Sequence, residues 1–179
     1  MRTTPRLLAL AAWACVSIVA TVALARVELD GDDVPTVFSI RKSANRNRVD
    51  FGLRLGPDCR AEGSEPVFAY WRMLERGPDA LEALEPFERR AYGIASQEVE
   101  ADGARVLVRL HAVPGRVLVF APRKVRGRCL CHATLPIGGR PSILEDVFVV
   151  LSGPLAVDHI ELRGRSLDDG AERVERLER

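Results

Sequence analysis

The chain has 179 residues, with 26 Lys and Arg against 25 Asp and Glu. This balance excludes a strongly basic protein that binds polyanions through its overall charge, so no nucleic-acid partner is expected. Hydrophobic residues make up 47% of the chain, which is enough to form the core of one globular domain.

The first 25 residues have the pattern of a secretory signal peptide. Arg2 and Arg6 precede an apolar stretch that ends in Ala23-Leu24-Ala25. A basic start, an apolar middle and small residues at the end are typical of a cleaved signal. We therefore predict a periplasmic or secreted protein with no membrane span after cleavage. The alternative is an uncleaved N-terminal anchor, because the stretch is almost long enough to span a bilayer.

Residues 26–35 are charged, lack periodicity and are predicted to be a linker before a single β-rich domain over 36–165. Phe38 and Ile40 share one face of a first strand. Alternation of Val49, Phe51, Leu53 and Leu55 with other residues then gives the clearest strand pattern. Turn signals separate further short apolar runs, which predict strands over 66–74, 97–101, 105–110, 116–121, 129–135, 146–151 and 157–162.

Two helices are predicted. Pro86 suits a first helical position and Gly93 a C-cap, which indicates one short interior helix. Leu167, Ala171, Val174 and Leu177 share a helical face, so residues 166–179 are predicted to form a charged amphipathic helical tail. The expected fold is mainly β, an antiparallel β-sandwich or open barrel with these two helices.

Cys59, Cys129 and Cys131 follow the predicted signal. In an oxidising compartment a disulfide between Cys59 and either Cys129 or Cys131 is expected, with one thiol left over. No metal site is predicted, because structural zinc sites usually show two separated ligand pairs. No cofactor is predicted either.

The histidines are candidates for structural rather than catalytic roles. His111, His132 and His159 each lie in or beside a predicted strand. Asp158 precedes His159, but neighbours in a strand point to opposite faces. No catalytic motif is present. The basic run over 123–128 is predicted to be an exposed loop. The alternative interpretation is a segment that binds an anionic ligand or a membrane surface.

Three ordered segments resemble a known family. They are Phe38-Ser39-Ile40-Arg41-Lys42-Ser43-Ala44-Asn45-Arg46-Asn47-Arg48-Val49, Pro66-Val67-Phe68-Ala69-Tyr70-Trp71 and Glu88-Arg89-Arg90-Ala91-Tyr92-Gly93. Together they are similar to the motifs of the bacterial domain-of-unknown-function family 4833. The resemblance implies a small, exported bacterial protein of no established activity, and the cysteines lie outside the shared pattern.

The same segments supply the candidate binding residues: Arg41, Asn45, Asn47, Tyr70, Trp71, Glu88, Arg89 and Tyr92. One interpretation places Arg41, Asn45, Trp71 and Tyr92 around a concave site. The other is structural: the asparagines hold a turn, and Glu88 with Arg89 anchors the helix.

The expected function is non-enzymatic binding of an unknown ligand or protein of the cell envelope. One alternative is a hydrolase or redox protein that uses His132 with Cys129 or Cys131. The other is a structural component of an envelope assembly, docked through the C-terminal helix.

Overall fold

The computed structural model describes residues 36–153 and 156–178. The predicted signal peptide (1–25) and linker (26–35) lie outside this part of the chain. None of the described helices is long and apolar enough to cross a membrane. The strands are β1 (Phe38–Lys42), β2 (Arg48–Leu53), β3 (Val67–Arg72), β4 (Leu81–Ala83), β5 (Ile94–Val99), β6 (Val106–Leu110), β7 (Leu118–Phe120), β8 (Arg123–Val125), β9 (Arg128–Leu130), β10 (Ala133–Ile137), β11 (Arg140–Leu151), β12 (Val157–Ser166) and β13 (Glu172–Glu178), and the one helix is α1 (Pro86–Tyr92).

Eleven strands form one curled sheet that makes a half-barrel. The order is β4-β3-β2-β1-β11-β10-β7-β6-β5, and β12 and β13 continue from β11. The mainly β, open-barrel prediction is therefore confirmed. Neighbours are antiparallel except for β1 and β11, which run parallel. A parallel pair requires a long crossover, and here β2 to β10 and α1 lie between the two strands.

Alternating side chains separate a core face from an outer face. On the core face Phe38 of β1 stacks on Phe51 of β2, with ring centroids 4.5 Å apart. Both rings are almost completely buried. The predicted core-facing residues of these two strands are confirmed. The outer face of the same strands carries Ser39, Arg41 and Asp50, so polar residues alternate with the core as the period of two requires.

The helix forms where the sequence predicts it. Pro86 occupies the first turn, and the carboxylate of Glu88 accepts a hydrogen bond from the backbone N–H of Glu85 at 2.8 Å. This bond satisfies one of the free N–H groups at the start of the helix. Gly93 is the C-cap, where its N–H donates to the carbonyl oxygen of Arg89. A Cβ at this position would overlap the same oxygen, so the site requires a glycine.

The predicted C-terminal helix is wrong. Residues Glu172–Glu178 form strand β13, which extends the sheet beside β12. The charged side chains find partners across strands rather than along a helix: Arg165 pairs with Glu172, and Arg176 pairs with Asp158. Pairing also satisfies the backbone of β12, which would otherwise be an open edge. The segment belongs to the main sheet and is not a separate tail.

The segment around the cysteines also differs from the prediction. The basic run is not a loop, because β8 and β9 pair as a small hairpin outside the main sheet. The single strand predicted over 129–135 is two strands, β9 and β10, separated at Cys131 and His132. Cys129 and Cys131 therefore have different surroundings.

Candidate functional site

A cavity of about 250 Å³ lies beneath α1, where β6 and β11 end and β12 begins. We call it the end cavity. Its walls are mostly apolar and include Val149, Leu151 and Ile160. Arg90 and His111 supply polar groups, and Asp and Glu are absent from the lining residues described. Apolar walls with a few polar groups are typical of small-molecule sites.

Tyr92 in the cavity wall is the first of three side chains in contact, and the other two are Trp71 and Lys42. Trp71 contacts Tyr92 edge-on, with ring centroids 5.8 Å apart, and Tyr92 lines the cavity. The Lys42 ammonium lies 4.9 Å from the centre of the Trp71 ring. Lys42 is also the register partner of Val149 in the cavity wall, so β1 and β11 bring its side chain to the same end of the half-barrel.

Trp71 carries an unused hydrogen-bond donor. The side chain is only 6% exposed, and its indole Nε1 is buried without an acceptor. An unmet buried donor is costly and rare in native proteins. A ligand oxygen near Tyr92 and Lys42 is a chemically suitable acceptor.

Tyr92 keeps its proton at the cavity wall. Burial raises the pKa of its phenol, and the nearby carboxylate of Glu88 raises it further. An ordinary tyrosine is already neutral at physiological pH, and the raised pKa keeps this hydroxyl protonated to higher pH, so that it is able to donate a hydrogen bond. Tyr92 therefore adds a neutral donor to the cavity wall.

The loop between β1 and β2 is fixed from two sides. The hydroxyl of Ser43 accepts the backbone N–H of Leu151 at 3.0 Å, which holds the cavity end of β11. Asn47 accepts the backbone N–H of Glu75 at 3.2 Å. Asn47 therefore ties two loops together rather than closing its own turn. The amide oxygen of Asn45 is buried without a partner.

Two of the predicted binding residues lie on the outer face instead. Arg41 makes a two-pronged ion pair with Asp146, with both N–O distances 2.6 Å, and its guanidinium lies over Phe148. Tyr70 is buried beside Asp50, and Thr36 links the two side chains through its hydroxyl. Arg41 and Tyr70 are therefore not part of the end cavity.

The remaining two candidates belong to α1. Glu88 caps the helix start, and Arg89 is exposed, with its carbonyl accepting the N–H of Gly93. Of the eight candidate binding residues predicted from the sequence, the structure thus brings only Trp71 and Tyr92 together at the end cavity. Lys42 and His111 also lie there, but the sequence analysis did not include them among the candidate binding residues. For Lys42 a signal existed, because it continues the period-two face of Phe38 and Ile40.

His159 contacts Asp158, although alternation predicts opposite faces. Its Nδ1 lies 2.7 Å from an Asp158 carboxylate oxygen. The reason is an irregularity in pairing between β11 and β12, where Asp158 has no register partner. Glu161 lies on the other side of the imidazole at 3.4 Å. The pKa of the Glu161 carboxyl is lowered chiefly by a hydrogen bond from Arg163. His159 thus lies between two carboxylates, each of which also pairs with an arginine.

Cys59 and Cys129 form a disulfide, and Cys131 is a free thiol. This pairing selects one of the two predicted bridges. It also removes Cys129 from the thiol chemistry of the alternative enzyme function. Burial raises the pKa of Cys131 to about 12, so at neutral pH the thiol is not ionised.

We expect Cys131 to be unreactive in the folded protein. At pH 8 its alkylation by iodoacetamide should be at least about a hundredfold slower than in guanidinium chloride, because only the thiolate reacts and unfolding restores a pKa of about 8.5. Mass spectrometry of timed samples measures both rates. Fast alkylation of the native protein would favour the thiol-dependent enzyme.

A comparison with protein families identifies a family to which the chain is similar. A model described as a domain of unknown function, DUF4833, matches residues 38–176. The match runs from the first residue of β1 into β13 and thus includes all or most of every strand in the described sheet. The resemblance found in the three sequence motifs is confirmed. No curated protein and no solved structure matches the chain.

Proposed function

The chain belongs to the DUF4833 family, a domain of unknown function, and we propose that it is an exported, non-catalytic domain that binds a small amphipathic anion in the end cavity. The observation that carries the proposal is the buried indole N–H of Trp71, which has no acceptor and belongs to a ring that contacts both Lys42 and Tyr92.

The chemistry of the surroundings supports an anion with an apolar body. Apolar walls suit a hydrocarbon or aromatic group, and burial of such surface supplies most of the affinity. Lys42, Arg90 and His111 suit a carboxylate. The volume of about 250 Å³ is just below the ~300–1,000 Å³ of drug-sized sites. A small carboxylic acid, or the end of a longer one, is the matching class.

Export is supported by two independent features. Residues 1–25 have the signal-peptide pattern, and the disulfide between Cys59 and Cys129 is of the kind that persists in oxidising compartments. We therefore place the protein in the periplasm or outside the cell.

A fluorescence titration tests the binding proposal. The chain contains only two tryptophans, Trp13 and Trp71, so a chain beginning at Arg26 reports on Trp71 alone. Octanoate and benzoate should change its emission saturably, and octanol and benzyl alcohol should do so more weakly. Lys42→Gln should weaken octanoate binding about tenfold, the effect of losing a charged hydrogen-bond partner.

The matched control is Arg54→Gln. Arg54 also lies over an aromatic ring, 5.1 Å from the centre of Phe68, but it is exposed and remote from the cavity. Its loss should leave the titration unchanged. A flat titration with both acids, or equal affinity in the Lys42 variant, would refute the proposed site.

A further inference from the structure

The hairpin of β8 and β9, residues 123–130, carries cations that the rest of the fold does not neutralise. The exposed ones are Arg123, Lys124, Arg126 and Arg128. Within residues 36–153 and 156–178, none of the ion pairs involves these four side chains. Most other arginines in the same ranges have a carboxylate partner.

The sequence around the hairpin is acid-free over a long stretch. From Gly103 to Leu144 there is no Asp or Glu, although the stretch contains eight Lys and Arg. Arg105, Arg116 and Arg140 find carboxylates that lie outside the stretch in sequence. The hairpin cations do not. An overall charge close to neutral therefore conceals a local surface of high positive potential.

Pairing within the hairpin gives it a free face and a tethered face. Arg123 is opposite Leu130, and Val125 is opposite Arg128, so these four side chains share one face. Lys124 is opposite Cys129 on the other face, where the disulfide to the buried Cys59 attaches the hairpin to the body of the domain. The free face therefore points away from the disulfide.

The free face is both basic and apolar. It combines two arginines with Val125 and with Leu130, whose exposure of 43% is high for a large hydrophobic residue. Arg126 and Gly127 form the turn, both with positive φ, so a third arginine sits at the tip. Cations interleaved with exposed aliphatic groups suit the headgroup boundary of an anionic bilayer. Nucleic-acid strands are usually bound through aromatic side chains, which the hairpin lacks.

We propose that hairpin 123–130 is a docking surface for membranes that contain anionic phospholipids. The disulfide holds the hairpin so that Arg123, Arg126, Arg128 and Leu130 meet the lipid surface together. This surface is separate from the end cavity, and the two proposals can fail independently.

Vesicle co-sedimentation tests the proposal. The chain beginning at Arg26 contains every strand and the helix of the described fold, and the described core residues lie between Val37 and Leu177. It should bind vesicles of equal parts phosphatidylglycerol and phosphatidylcholine, and not pure phosphatidylcholine. Arg123→Gln with Arg128→Gln should weaken binding about 25-fold, since each cation near a charged membrane contributes about a fivefold gain. About 1 M salt should abolish binding.

The control removes the same charge elsewhere. Arg46→Gln with Arg109→Gln also deletes two arginines that have no ion-pair partner among the described residues, and it should retain nearly all of the binding. Thermal melts of both variants measure whether they stay folded, and their melting temperatures should match that of the unaltered protein. The proposal would be overturned by any of three results. These are an equal loss of vesicle binding in the two variants, no preference for anionic vesicles, and binding to a DNA duplex without binding to vesicles.

Discussion

Replacing Asp50 by alanine should destabilise the fold by about 3 kcal/mol, the lower end of the range for breaking a buried ion pair. Asp50 is fully buried and accepts hydrogen bonds from Arg72 Nε at 2.6 Å and from the Ser39 hydroxyl at 2.7 Å. Arg48 lies 2.8 Å away. Alanine would leave two cations and the hydroxyls of Ser39 and Thr36 without their shared acceptor. We expect a loss at the lower end of the range for buried ion pairs because a third of the Arg48 side chain is exposed to solvent.

Guanidinium chloride unfolding followed by circular dichroism measures this loss. The matched control is Asp58→Ala, which removes a carboxylate that pairs with Arg60 at 3.7 Å and is 65% exposed. That change should cost less than about 1 kcal/mol, as expected of surface pairs. A loss below about 1 kcal/mol for Asp50→Ala as well would mean that the charge cluster on the outer face contributes nothing to stability.

Removing the disulfide should lower the free energy of unfolding by an amount similar to that expected for Asp50→Ala. Cys59 and Cys129 are 70 residues apart in sequence, and closing a loop of that size restricts the unfolded chain by about 4 kcal/mol. The double variant Cys59→Ser with Cys129→Ser should therefore melt about 10 °C lower, given the usual relation between stability and melting temperature at this size. Differential scanning calorimetry measures the shift.

Two comparisons identify the disulfide as the cause. Cys131→Ser changes a cysteine without breaking the bridge and should lower the melting temperature much less. The unaltered protein, melted in a strong reductant, should match the double variant. Equal melting temperatures with and without reductant would contradict the assigned bridge.

Several features of the fold follow from local sequence. The alternation of Val49, Phe51 and Leu53 specifies a strand with a buried face, because every second side chain points the same way. Pro86 and Gly93 bound a helix, because proline fits the first turn and only glycine fits beside the Arg89 carbonyl. The three motifs identified the family, because the order and spacing of their residues can be read from the sequence without knowledge of the fold.

Other predictions failed where a distant partner decides the outcome. The spacing of Leu167, Ala171, Val174 and Leu177 fits a helix, yet the unpaired edge of β12 makes a strand the better solution for residues 172–178. A local irregularity in β12 turned Asp158 toward His159 against the alternation rule. Neither effect is visible in a window of neighbouring residues.

The candidate site shows the same division. The motif residues were identified from sequence, and strand alternation already places Tyr70 and Trp71 on opposite faces of β3. Only the position of α1 brings Tyr92 to Trp71. The choice of Cys129 over Cys131 likewise depends on the break between β9 and β10. Sequence by itself determined most of the strands, the interior helix and the family, because these depend on local periodicity and residue order. The tertiary structure decided which side chains meet, because those contacts depend on pairing between segments far apart in the chain.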